Sequence, residues 1–266
     1  MSEPSALRTF LIEYMCLGKK FLIYNLVNRN LKIKYRRSFL GVVWTVLSPV
    51  SMAVVYYYVF KVILRVQMPH YLAFILCGTL PWAFFAQSLM EGMESLVANQ
   101  GLLSKVPVPV PVFPYVCILT NMITLLIATP IIFIAAWISG VELSASVILL
   151  PVLLGCLFLI TYAFTFILAH LYVFFRDLKH LMSLVIQIWF YGTPVIYDEQ
   201  MIPEKYHWVL YINPFGTLFS SLHDIFVRGI WPNQQNLMVL FGWTCATTVL
   251  ARVFQVSFSR EIVENL

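Results

Sequence analysis

Five cations crowd nine residues near the amino terminus: Arg29, Lys32, Lys34, Arg36 and Arg37. Clustered ammonium and guanidinium groups hold phosphates and anionic lipid head groups. Beside an anionic leaflet each is worth about 1 kcal/mol. Arg29, Lys32, Arg36 and Arg37 are therefore candidates for lipid or substrate head-group contact, the plainer alternative being simple anchoring of a membrane flank by positive charge. Groups for covalent chemistry are sparse. Glu204-x-x-His207 has the helical spacing of half a metal site, and no second half is visible. His170 would serve as a proton relay or acyltransferase base, but a hydrogen-bonded structural histidine is the stronger reading. No GxxxxGK[ST], HExxH or GxSxG occurs; Gly18-Lys19-Lys20 lacks both the leading glycine and the hydroxyl residue of a phosphate loop. The sequence therefore offers no catalytic residue, no metal site and no cofactor of its own.

Aromatic residues make up 16% of the chain. Those near the ends of apolar runs read first as an interfacial belt. A sharper reading takes Tyr57, Tyr58, Trp82, Phe85, Trp189, Tyr191, Tyr197 and Phe215 as the lining of a glycan conduit. Pyranose C–H faces pack on such rings without demanding one linkage.

The elements that must position these residues are membrane helices. The 266 residues are 61% hydrophobic and 11% charged, against about 25% charged in ordinary globular chains. Mean hydropathy is +0.84. Six apolar runs approach the roughly 20 residues needed to cross a bilayer core. They are Phe39–Leu64, interrupted by Pro49; Tyr71–Met90; Val112–Ile138; Val147–Phe175; Leu181–Tyr197, the shortest; and Leu237–Phe258. The polar start MSEPSALRTF is not a cleavable leader. With six crossings, thirteen Lys and Arg fall on the side of the termini and four on the other, which places both termini in the cytoplasm. The five cysteines read as free thiols, mostly buried. Ionisable groups deep in the spans are nearly absent, which argues against an ion-coupled carrier.

Three segments flank the spans. Residues 20–38 form an amphipathic surface helix, with Tyr24, Val27, Leu31 and Tyr35 on the apolar face. Lys105–Pro114, KVPVPVPVFP, favours extended polyproline geometry within a loop at residues 95–112. Residues 198–236 lie outside and carry two short helices. The first starts at Ile202-Pro203-Glu204 and runs to Ile212. The second is capped by Asn213, buries Phe215, Leu218, Phe219, Leu222, Ile225 and Phe226, and stops at Gly229. The fold class is thus an all-α integral membrane protein: six spans, an N-terminal interface helix, and short re-entrant or surface helices before the last span.

In this order, RRSFLGVVW (Arg36–Trp44), ANQGLLSKVPVPVPVFP (Ala98–Pro114), FFRDLKH (Phe174–His180), WFYGTPVIY (Trp189–Tyr197) and NPF (Asn213–Phe215) resemble the permeases of ABC-2 type polysaccharide exporters. The resemblance covers nearly the whole chain. O-antigen exporter permeases are most similar; teichoic-acid and capsule permeases are near relatives. It implies a homodimer with the conduit between subunits, in the bacterial inner membrane. It implies a separate ATP-binding cassette ATPase that supplies ATP and magnesium chemistry, and a substrate glycan on undecaprenyl pyrophosphate moved from cytoplasm to periplasm. It also implies an interface helix at Asn25–Arg37, a coupling and gate region at Ser95–Val112, an ATPase contact at Arg176–His180 and a periplasmic gate at Glu199–Gly229. Lys34, Asn99, Gln100, Lys105, Arg176 and Asp177 are the implied ATPase contacts. A drug-exporting ABC-2 permease, an integral membrane enzyme acting on lipid-linked sugars and an ion-coupled carrier are the competing readings.

Overall fold

The computed structural model describes residues 19–36, 43–103 and 108–265, and these are helices joined by turns. The framework is α1 (Lys20–Tyr35), α2 (Val43–Tyr57), α3 (Tyr71–Ala98), α4 (Val112–Ile138), α5 (Leu150–Phe174), α6 (Leu178–Tyr191), α7 (Gly216–His223) and α8 (Gln234–Asn265). Among the described residues, four runs are long and apolar enough to cross a membrane: Tyr71–Ala98, Val112–Ile138, Ala145–Phe174 and Gln234–Gln255. They meet four of the six expected spans.

The other two differ from expectation. Pro49 lies inside α2 and does not end it, and a π-helical turn, Tyr58–Ile63, continues the run. Neighbouring groups in a bundle tolerate the amide that proline lacks. The Leu181–Tyr197 run is α6, only 14 residues long, with Gly192 as its C-cap. At 1.5 Å per residue that is about 21 Å, short of a hydrocarbon core of about 30 Å. Gly192 and Pro194 turn the chain before it can continue.

Helix α3 is the centre of the bundle. It packs against α2, α4 and α5, and against the segment after α6, and it buries side chains from Tyr71 to Leu96. Small residues permit this. A Cβ on Gly92 would run into the Thr165 side chain of α5, and one on Gly78 into the Val195 backbone. Helix α8 closes the bundle against α5 and α7.

The 198–236 segment folds back into the bundle. A 3-10 turn at Glu199–Met201 opens it, and the first expected helix, Ile202 to Ile212, is broken into a 3-10 turn at Glu204–Tyr206 and a short α-turn at Trp208–Ile212. The second follows the expected pattern. Asn213 Oδ1 accepts the Phe215 amide at 3.0 Å, α7 runs on as a π-turn through Asp224–Arg228, and Gly229 ends it with φ +64°. The six apolar residues expected on one face are all buried. Near α4, Val108 and Pro109 lie outside any helix, but Pro111 already has helical angles and caps α4, so polyproline geometry does not extend to Pro114.

Candidate functional site

Two polar clusters sit at opposite ends of α3. At its carboxyl end, α1 lies against α4 and buries Ile23, Leu26 and Val27. The same face, continued by helical spacing, carries Asn30 and Lys34. Lys34 Nζ donates to Asn121 Oδ1 at 2.8 Å and lies 3.8 Å from Glu91. Asn121 Nδ2 donates to Glu91 Oε2 at 3.0 Å, Cys117 Sγ donates to the same oxygen at 3.8 Å, and Tyr35 shares a hydrogen bond with Thr124 at 3.1 Å. Arg29 donates to Asn99 Oδ1 at 3.0 Å, beside a cavity of about 330 Å³. From the first turn of α6, Lys179 reaches Glu94 of α3 at 2.5 Å. That carboxylate raises the Lys179 pKa.

At the other end, Arg228 sits among three carboxylates: Asp224 at 2.6 Å, Asp198 at 2.7 Å and Glu199 at 3.1 Å. Glu199 also accepts from Ser220. The cluster ties the start of the 198–236 segment to its end. Burial pushes the Asp224 carboxyl above its ordinary value, against the pull of Arg228. The segment is fixed to α3 by Tyr71, whose hydroxyl donates to the Ile196 carbonyl at 3.2 Å, and by His223, whose ring stacks on Phe74 at 3.9 Å.

Between these ends lies an aromatic knot. Phe85 stands 4.3 Å from Phe215, 5.4 Å from Trp189 and 5.3 Å from Trp82, ring centre to ring centre. Asn213 fastens it: Oδ1 accepts from Trp189 Nε1 at 3.0 Å while Nδ2 donates to Thr193 and the Gly192 carbonyl.

This helical bundle, with a surface helix at one end and a re-entrant segment at the other, matches known proteins in sequence. The family model described as ABC-2 type transporter matches residues 22–227. The O-antigen export system permease protein RfbA of Klebsiella pneumoniae is 33% identical over 236 residues, covering 88% of this chain and 91% of that protein. Its namesake from Myxococcus xanthus is 34% identical over 221 residues, covering 82% and 85%. The chain belongs to the ABC-2 type transporter family. It is a multi-pass membrane subunit of a transporter.

For an ABC-2 permease, the placement of the expected site residues is informative. Arg29, Lys32 and Arg36 are exposed on or just beyond α1; Arg37 and Lys105 lie outside the described residues. Gln100, Arg176 and Asp177 are exposed, with the Arg176 guanidinium 5.3 Å from the Tyr172 ring centre. Lys34 and Asn99 are instead engaged within the chain. The cause is the orientation of α1. Tyr24, expected on the buried stripe, is exposed, and the Ile23, Leu26, Val27 face that packs carries Lys34 inward.

The aromatics divide as well. Phe85 and Phe215 have no exposed surface, and Trp82 is buried. These three hold the re-entrant segment against α3 and are not surface lining here. Trp189, Tyr57 and Tyr197 are partly buried, whereas Tyr58 and Tyr191 are exposed. His170 is buried and bonded to the Phe166 carbonyl at 2.7 Å, and His207 bonds the Ile202 carbonyl at 2.8 Å. The Arg228 cluster was not anticipated. Its signal was present: Asp224 and Arg228 at i,i+4, with the pair Asp198-Glu199, in a chain holding only twelve acids.

Proposed function

We propose that this chain is the membrane subunit of an ATP-driven exporter that moves a lipid-linked O-antigen polysaccharide from cytoplasm to periplasm. Two copies form the conduit in the inner membrane, with six crossings each, the fifth made by short α6 and completed by the non-helical chain that follows Gly192, and both termini cytoplasmic. Each copy docks a separate ATP-binding cassette ATPase, which binds ATP and magnesium. The observation that carries this reading is the similarity, across most of both chains, to proteins named as O-antigen export permeases. The split of thirteen basic residues against four supports the orientation.

The geometry suits the task. Helix α3 is gripped at one end by α1, through Lys34, Asn121 and Glu91, and by α6, through Lys179 and Glu94. Its other end carries the re-entrant segment on Tyr71, Phe74 and Gly78. In this reading, closure of the ATPase pair pushes α1 and the α5–α6 turn, and α3 passes the displacement to the gate. Arg29, Lys32, Arg36 and Arg37 then offer positive charge to lipid or to the pyrophosphate of the carrier. Gln100, Lys105, Arg176 and Asp177 face the ATPase, and Lys34 and Asn99 serve as struts behind them. Tyr58 and Tyr191 are the exposed rings available to the conduit.

The test is made in the producing cell. Removing the chain should abolish surface O-antigen and leave lipid-linked glycan inside. Reversing both Arg36 and Arg37 to Glu should cut export and ATPase co-purification while the protein still inserts. Undiminished surface O-antigen without the chain would sink the reading.

A further inference from the structure

An apolar groove that none of the roles above uses runs down the outside of the bundle between α4 and α5. Its volume is about 1060 Å³, and Met122, Leu126 and Phe133 of α4 and Leu154, Gly155 and Phe158 of α5 are among its walls. We propose that it holds an acyl chain of a phospholipid from the leaflet at the re-entrant end, and that this chain braces the re-entrant segment through Phe133. The site is independent of what the transporter exports.

The sequence makes the groove. Helices α4 and α5 each pack along α3. Pro130 stands inside α4 and Pro151 in the first turn of α5. Gly155 puts no side chain between them, and a Cβ there would meet no atom within 4 Å. Among the described residues no charged side chain lines the groove, and the Thr129 hydroxyl is spent on the Leu125 carbonyl at 2.9 Å. Water does not fill such a space. Left empty, its walls would forfeit dispersion contacts on one side.

Continuity with the bilayer decides the occupant. Both walls belong to membrane spans, on which Leu126, Ile134 and Val152 are 51%, 52% and 42% exposed, so the groove opens onto hydrocarbon. The α5 wall, residues 150–159, runs about 14 Å at 1.5 Å per residue, close to half of a core about 30 Å thick. That half is the leaflet at the re-entrant end, where the Glu142 carbonyl abuts Gly229 and the exposed Trp137 marks the membrane boundary. The α4 wall, from Tyr115 to Ile134, runs about 28 Å. Spread over that length, the volume gives a mean section of about 40 Å², half the roughly 80 Å² of a helix 10 Å across. An extended hydrocarbon chain enters; a helix of a second copy does not.

Phe133 makes the groove a brace. It lines the groove, and its ring centre lies 5.0 Å from that of Phe226. Phe226 has no exposed surface and sits in the Asp224–Arg228 turn that ends the re-entrant segment. A chain packed on Phe133 therefore holds Phe226, and with it Arg228 two residues on, against α4.

The test is photolabelling of the permease–ATPase complex in nanodiscs of phosphatidylethanolamine and phosphatidylglycerol, doped with a phosphatidylethanolamine whose acyl chain carries a diazirine. After a chase with unlabelled phospholipid, label at residues 119–134 and 150–159 should persist about tenfold longer than label at Val249 and Val253 on the exposed face of α8, the worth of about ten more atom contacts for an enclosed chain. Gly155→Leu grows into open space and should abolish that persistence while the protein still folds. Cys77 as the sole thiol, fully buried beside Gly78, reads the brace by its rate of maleimide labelling. In the parent, transfer from nanodiscs to detergent should speed labelling about tenfold, the same contacts being lost. In Gly155→Leu, whose side chain fills the groove, transfer should change the rate less than about threefold. Exchange in the groove as fast as on α8 overturns the site. So does a groove labelled only by a photoreactive polyisoprenoid phosphate, or one closed by disulfides between copies at Leu126→Cys. Slow exchange with a Cys77 rate indifferent to detergent overturns the brace.

Discussion

Replacing Arg228 by methionine keeps the side-chain length and removes the cation that holds Asp198, Glu199 and Asp224 together. The cost follows from burial. Asp224 retains 6% side-chain exposure, against 17% for Asp198 and 24% for Glu199. Breaking a fully buried pair costs about 3–5 kcal/mol, and an exposed one at most about 1. A cluster of intermediate burial should lose about 2–3 kcal/mol, which favours opening of the segment by about 30- to 150-fold. Cys77 reports the opening. Its side chain is fully buried, one residue before Gly78, where Val195 presses on α3. In a variant keeping only this thiol, maleimide labelling rises with the fraction of time the segment is lifted. Arg228→Met should label about 30-fold faster or more, and adding Asp224→Asn should restore much of the protection by removing the most buried charge. A rate within about threefold of the parent, a difference under 1 kcal/mol, would refute the assignment of Arg228 as the clasp.

Other substitutions separate structural from transport roles. Phe85→Ala should cost about 3–5 kcal/mol of stability, read as a lower melting temperature in detergent, whereas Tyr191→Ala should stay within about 0.5 kcal/mol and lower export alone. Gly78→Ala forces a methyl group against the Val195 backbone and should cost about 1–3 kcal/mol by the same melt. Lys34→Met leaves the buried Asn121 carbonyl oxygen without its donor; about 1–2 kcal/mol is expected, since Glu91 is half in solvent, together with weaker coupling of ATP hydrolysis to export. The raised pKa of Asp224 sets a pH signature. Its contribution to stability is full below the ordinary aspartate value of 3.8 and falls as pH rises through the higher folded value. Asp224→Asn should remove that slope from the melting-temperature profile.

Helix existence was readable because length and hydropathy alone decide it: Val112–Ile138 agrees to the residue. The α7 segment was readable because Asn213, the apolar face and Gly229 each act locally. Two features depended on partners far along the chain. The inward turn of Lys34 needs Glu91 and Asn121, 57 and 87 residues away, and a small rotation of α1 reverses which side chains face out. The fate of the aromatics was hidden for the same reason. Trp82 and Tyr191 look alike as aromatics of apolar runs, and the folding-back of the segment that carries Phe215 and Phe219 helps bury Trp82 while Tyr191 stays exposed.

The central claim is that this chain, driven by a separate ATPase, carries a lipid-linked O-antigen glycan across the membrane. The most direct measurement is translocation in proteoliposomes that hold the purified chain, its ATPase and lipid-linked O-antigen, read by lectin access to the glycan on the far side. The account predicts ATP-dependent appearance of glycan that vanishes when the ATPase is omitted or its hydrolysis is blocked. Equal appearance without the ATPase, or none with all components active, would contradict it.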